Sequence, residues 1–139
     1  MPELKTKVLL HGEQAWDAMS VTEITVPPHT AGPPLHKHDF DEAFYVLHGE
    51  LVFQVEEEIT TKGAGDLSFA PRNVAHALAN HSDAPARYVL VCTPAGFERH
   101  WARAEADAAG VEPPSWALGP IPEVTVLGPP IEFPARGTA

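Results

Sequence analysis

The chain has 139 residues, 44% hydrophobic and 20% charged, with 9 Lys and Arg against 19 Asp and Glu and a formal net charge of −10. That length and apolar content support one domain with its own core, which excludes a disordered tail and a miniprotein held together by staples. The acidic balance, with few and scattered cations, excludes a nucleic-acid or anionic-membrane binder, since both affinities come from Lys and Arg.

Met1 to Leu10 carries Glu3, Lys5 and Lys7, and its contiguous apolar stretch is only Val8, Leu9 and Leu10, so no secretory leader is expected there. The longest run without Asp, Glu, Lys or Arg, Ile24 to His36, contains four prolines and cannot be a transmembrane helix. A soluble, cytoplasmic protein is expected. The single cysteine, Cys92, lies in an apolar run and is expected to be a buried, inert thiol.

Val21 to Val26 alternates in the manner of a strand and stops at Pro27-Pro28. Ala43 to Leu47 and Leu51 to Glu56 alternate on either side of Gly49, which predicts a hairpin turning at that glycine. Ile59 to Thr61, Asp66 to Ala70, Val74 to Asn80 and Ala86 to Thr93 continue the pattern, separated by Gly-, Pro- and Ser-rich turns. Glu56-Glu57-Glu58 reads as a solvated turn. Short strands at this spacing predict an all-β sandwich or barrel over residues 20–93.

After Thr93 the period changes. Thr93-Pro94 predicts a helix start, Phe97, Trp101, Ala104 and Ala108 give it an apolar stripe over 94–109, and Gly110 ends it. Residues 111–139 hold seven prolines and many apolar side chains, with one short element expected at Glu123 to Leu127. An arm lying over the barrel or a second subunit is expected, with Ala135 to Ala139 frayed. No phosphate-loop, dinucleotide or nucleophile-elbow string occurs.

The chemistry lies in two short segments. In an extended chain His36 and His38 project to one face, and Glu42 has the same parity and joins them if the intervening bend is mild. His76, on a later strand, supplies a third imidazole. Three imidazoles and one carboxylate suit one divalent transition metal ion (Fe, Ni, Mn, Co, Cu or Zn) rather than Ca or Mg, and four protein ligands leave two positions of an octahedron open.

The string Gly32-x3-His36-x-His38-x3-Glu42-x6-Gly49 resembles the first cupin motif, and Gly65-x5-Pro71-x-Asn73-x2-His76-x3-Asn80 resembles the second. Gly32 stands two residues nearer His36 than the motif asks, and Asn73 replaces a glycine, a substitution that a left-handed turn tolerates. The resemblance implies a double-stranded β-helix, a small jelly-roll barrel, with a metal in its mouth and a homodimeric assembly. With DEAFYVLHGEL, FAPRNVAHALAN and VCTPAGFE, the chain is similar to single-domain cupins of the quercetin 2,3-dioxygenase-like type.

That type implies dioxygenation of an enolisable or phenolic small molecule, with dioxygen as co-substrate and Glu42 as both metal ligand and general base. Phe44, Val46, Phe53, Phe69 and Leu78 are the expected walls of the substrate cavity, with His48 as a further expected substrate contact. A cyclase or isomerase acting on polyketide-like or sugar-like substrates, or a non-catalytic small-molecule binder, are the alternative readings. The cyclase reading asks for an added acid or base, for which His48 and Tyr45 are the candidates. Arg72 is a candidate contact for an anionic substrate. His11, His29, His81 and His100 read as surface.

Overall fold

The computed structural model describes residues 4–134. The alternation seen in the sequence becomes two antiparallel five-stranded sheets packed face to face. One contains β1 (Lys5–Leu10), β2 (Ser20–Val26), β4 (Asp41–His48), β7 (Leu67–Ala70) and β9 (Ala86–Thr93), in the order β1-β2-β9-β4-β7. The other contains β3 (His36–His38), β5 (Glu50–Val55), β6 (Glu58–Gly63), β8 (His76–Ala79) and β10 (Val124–Val126), in the order β10-β3-β8-β5-β6. Ile24, Val26, Phe44, Val46, Leu51, Phe53 and Leu90 fill the space between them. This is a double-stranded β-helix, in agreement with the all-β expectation.

The hairpin expected at Gly49 is absent. β4 pairs with β9 and β7, whereas β5 pairs with β6 and β8, so the chain crosses from one sheet to the other at this glycine. A Cβ at Gly49 would lie 2.7 Å from the Pro85 carbonyl oxygen, and its φ of +79° favours glycine for a second reason. The true hairpin joins β5 to β6 through Glu56 and Glu57, whose charges stay in solvent.

Asn80 closes the second motif and is fully buried. Its amide donates to the carbonyls of Val26, Pro27 and Ala84, and its side-chain oxygen accepts from the backbone and hydroxyl of Ser82. One side chain thus satisfies the carbonyls where two strands end, groups that would be costly to bury unpaired.

The helix α1 (Glu98–Ala109) starts later than Thr93-Pro94, because Thr93 is still paired with Asp41 in the sheet. Its buried face is Glu98, Ala102 and Ala106 rather than Ala104 and Ala108, which are exposed. Phe97 and Trp101 pack on the core, and Gly110 ends the helix in the left-handed conformation. The Glu98 carboxylate is buried and accepts the backbone N–H groups of Gly12 (2.8 Å) and Gly96 (2.6 Å), tying the amino-terminal segment to the helix start.

Arg99 and Arg103 hold the following segment by donating to the carbonyls of Pro120 (2.7 Å), Ala117 (2.6 Å) and Gly119. β10 occupies the position expected for a short element at Glu123 to Leu127 and pairs with β3. The expected fraying of Ala135 to Ala139 falls outside the described residues. No helix among those described is long and apolar enough to cross a membrane.

Candidate metal centre

His36 and His38 stand on β3, and His76 faces His36 directly across the β3–β8 pair. Glu42 reaches the same point from the opposite sheet. The chain leaves β3 after His38, turns at Asp39 and Phe40, and enters β4, with Phe40 stacked on the His38 ring at 3.6 Å. The cluster therefore bridges the two sheets. One ligand atom from each of the four residues lies within 4.8 Å of every other.

Each imidazole is oriented by the backbone beside it. Nδ1 of His36 donates to the Pro34 carbonyl (2.7 Å), that of His38 to Phe40 (3.0 Å) and that of His76 to Val74 (3.0 Å). A carbonyl only accepts, so each Nδ1 carries a hydrogen and each Nε2 is directed to the shared point. This is the outer support that fixes tautomer and ring angle in metal sites.

The Nε2 atoms of His38 and His76 sit 2.5 Å and 2.9 Å from the same Glu42 oxygen, Oε1. With both Nδ1 positions protonated, neutral rings would set nitrogen lone pairs against a carboxylate. A cation must lie between them, either a proton on the imidazole or a metal ion. The donor set fits one divalent transition metal: ligands about 2.0–2.2 Å from an ion stand roughly 3 Å apart when adjacent and roughly 4.2 Å when opposite.

The ionisations agree with that geometry. Burial alone would raise the Glu42 carboxyl, but hydrogen bonds from His38 and His76, and then their charges, hold it down to about 2 from an ordinary 4.5. Burial pulls His76 down, yet the hydrogen bond and charge of Glu42 outweigh it and the ring ends above its ordinary 6.5. His36 is lowered, chiefly by burial. Without metal, His76 therefore holds its proton to a higher pH than a free imidazole does.

The pH consequence follows from the signs. The raised His76 stabilises the metal-free fold below its unfolded value of 6.5, and that contribution is lost as pH rises through the higher folded value. The depressed Glu42 contributes above 4.5 and is lost only as pH falls toward 2. A metal ion must displace the His76 proton, so its affinity rises with pH. The increase in melting temperature on adding Co(II) should be larger at pH 8 than at pH 6; an equal shift at both would contradict proton-coupled binding.

The cluster lies in a cavity of ≈ 530 Å³ whose wall is mostly apolar and contains no Lys or Arg. Of the expected wall residues, Phe44 and Leu78 line this cavity, while Val46 and Phe53 are buried in the core outside it. Phe69 and His48 are corrections. β7 alternates with Ser68 and Ala70 inward, which turns Phe69 out, 51% exposed, beside Tyr45 and Leu67. His48 shares parity with Glu42 only on a regular strand, and an irregularity in the β4–β9 register between Val46 and His48 turns it to solvent.

Tyr45 is also on the outer face, and Arg72 is engaged by Asp41 outside the cavity. His29 is at the surface, paired with Asp83 at 2.7 Å. His11 instead stacks on Trp116 at 4.2 Å, and His81 lies against Phe133 at 4.4 Å. His100 is exposed at the cavity rim. Cys92 is buried and free as expected, its Sγ 3.9 Å from the second Glu42 oxygen, and burial pushes its thiol up.

The sequence reading missed the residues that complete the mouth: Leu4, Phe97, Trp101, Val124 and Val126. The β10–β3 pairing is what brings Val124 opposite His38 and Val126 opposite His36. No local pattern in the sequence encodes that register.

A two-sheet β-helix with a buried three-histidine, one-glutamate cluster between its sheets defines a cupin with a candidate metal site. The Cupin_2 model, a cupin domain, matches residues 22–92, and the chain belongs to that family. It is similar to a predicted oxalate decarboxylase of Thermotoga maritima at 25% identity and a TM-score of 0.62, covering 67% of this chain and 82% of that one.

Two further likenesses show the fold alone. One is to a cupin-like protein of Thermotoga maritima, at 17% identity and a TM-score of 0.63, covering 93% of this chain and 79% of that one. The other is to the polyketide cyclase RemF of Streptomyces resistomycificus, at 24% identity and a TM-score of 0.58, covering 66% of this chain and 65% of that one. A comparison with curated proteins found no match.

Proposed function

We propose that the protein is a metal-dependent enzyme that dioxygenates an enolisable or phenolic small molecule, in the manner of quercetinases. The observation that carries this reading is the pairing of the four-residue cluster with an apolar cavity free of Lys and Arg. A dicarboxylate would leave its second negative charge unpaired on that wall, a costly burial. A flat, largely apolar molecule with one ionisable hydroxyl is complementary to it.

A transition metal held by His36, His38, Glu42 and His76 would polarise the bound oxygen and, if redox-active, support reaction with dioxygen. Phe44 and Leu78 pack the apolar ring and exclude water from the reacting end. Glu42 is the one carboxylate on the wall and takes the hydroxyl proton on a carboxylate oxygen. On swinging away from His38 and His76 it loses the bonds that depress it and keeps the burial that raises it, which improves it as a base. His48 and Tyr45, the candidate additional acid–base groups of a cyclase, point away from the cavity.

An oxygen electrode tests the proposal. Protein loaded separately with Fe, Ni, Mn and Co should consume oxygen with flavonols or other enolisable phenols, and His76→Ala should abolish the uptake. Metal-dependent turnover of such substrates without oxygen uptake would replace the dioxygenase by a cyclase or isomerase.

A further inference from the structure

Beyond the four cluster residues, the polar side chains on the cavity wall are Thr30, Tyr88, His100 and Trp101. The Thr30 hydroxyl is already donated to the Pro27 carbonyl at 2.8 Å. His100 stands exposed at the rim, and the Trp101 indole N–H is buried without a partner and without access to the cavity space. Tyr88 differs from all three.

Tyr88 stands on β9, between Ile24 of β2 and Val46 of β4. The residue is 4% exposed, yet it lines the cavity. The ring lies 5.8 Å from that of Phe44, which in turn lies 6.2 Å from the His76 ring. Tyr88 lines the cavity, and no described residue accepts a hydrogen bond from its hydroxyl.

A buried phenol on a central strand with no hydrogen-bond partner among the described residues is unusual, because a buried tyrosine hydroxyl ordinarily finds one. A phenylalanine would fill the same space without the desolvation cost. Among the described residues the hydroxyl is therefore available to a molecule held in the cavity.

We propose that Tyr88 is a ligand-contacting residue of this site, whose hydroxyl donates a hydrogen bond to an oxygen of the bound small molecule. The inference rests on the proposed function for the location of that molecule, and adds the group that orients it. Burial first, and then the Glu42 charge, hold the phenol well above its ordinary value, so it is a donor throughout the neutral range. A hydrogen bond to an enolate or phenolate oxygen is charge-assisted and stronger than a neutral one. Such an acceptor is available in the ionised substrate and absent from a hydrocarbon of equal shape, which makes Tyr88 a determinant of substrate class.

The test uses the full chain loaded with Co(II) and titrated with 4-nitrocatechol, whose visible spectrum reports its ionisation. Tyr88→Phe should weaken nitrocatechol binding roughly ten- to a hundredfold and shift the bound spectrum, with the cobalt affinity unchanged. Its melting temperature should not fall below that of the wild type, since no described residue bonds the hydroxyl. Unchanged nitrocatechol affinity, or a lowered melting temperature that marks a structural hydroxyl, would overturn the inference. Two wild-type results separate the layers. Cobalt bound without nitrocatechol overturns the substrate class and this inference with it, and failure to bind cobalt overturns the metal site itself.

Discussion

The His76→Ala protein should bind its transition metal at least about a hundredfold more weakly than the wild type, because even outer partners of metal ligands are worth about ten- to a hundredfold. His76 contributes one of the inward Nε2 atoms and faces His36 across the β3–β8 pair, so no neighbouring side chain replaces it. At a metal concentration about 100 times the wild-type Kd, binding adds about 2.7 kcal/mol to stability. The same concentration would give the variant only about 0.4 kcal/mol by the same relation.

At about 4 °C per kcal/mol for a domain of this size, the metal-induced rise in melting temperature falls from roughly 10 °C to roughly 2 °C. Differential scanning fluorimetry with and without Co(II) measures both, each protein against its own metal-free baseline. An undiminished rise in the variant would show that the ion binds elsewhere.

Gly32→Ala should be among the most damaging single-methyl additions in the chain. A Cβ there would lie 1.9 Å from the Leu78 carbonyl oxygen, far inside contact distance, and the backbone φ is +74°. The clashing atom belongs to the backbone of β8, so relief requires moving the strand rather than a side chain. Overpacking and a left-handed alanine together cost on the order of 3–5 kcal/mol, a large part of the stability of an ordinary domain.

Leu78 lines the cavity two residues from His76, so the displaced strand would also disturb the metal ligands. Urea unfolding should show the midpoint falling with little change in slope. A loss below about 0.5 kcal/mol, the range of ordinary surface changes, would refute the close approach.

Gly32 also shows how the sequence informs and where it stops. Its spacing departs from the first cupin motif, yet the residue is a glycine because the chain there presses on β8, a contact with a residue far along the chain. The four cluster residues were legible because parity and motif spacing are local: His36 and His38 share a strand, and the bend at Asp39 and Phe40 is short.

Gly49 was misread for the complementary reason. Two alternating runs joined by a glycine look the same whether the second strand turns back on the first or crosses to the facing sheet, and the choice is set by β9 and β8, which pair with β4 and β5 respectively. His48 and Phe69 failed through alternation itself. A single register irregularity after Val46 reverses the face of His48, and the inward set of β7 is Ser68 and Ala70, small residues that give no apolar signal.

β1 was missed because Lys5 and Lys7 make it resemble a polar lead segment, although in an edge strand such charges face solvent. The cavity mouth escaped because it is assembled from the two chain ends, Leu4 with Val124 and Val126, and from Phe97 and Trp101 at the helix start.

The central claim is that one transition metal is held by His36, His38, Glu42 and His76. X-ray absorption spectroscopy of the protein loaded with Co(II) tests it most directly, since the first shell reports ligand type and the outer shells report imidazole rings. The expected result is one ion per chain with nitrogen and oxygen neighbours at about 2.0–2.2 Å, outer scattering from three imidazoles, and loss of one imidazole in His76→Ala. A shell containing sulfur from Cys92, an imidazole count unaffected by His76→Ala, or no bound ion would contradict the account.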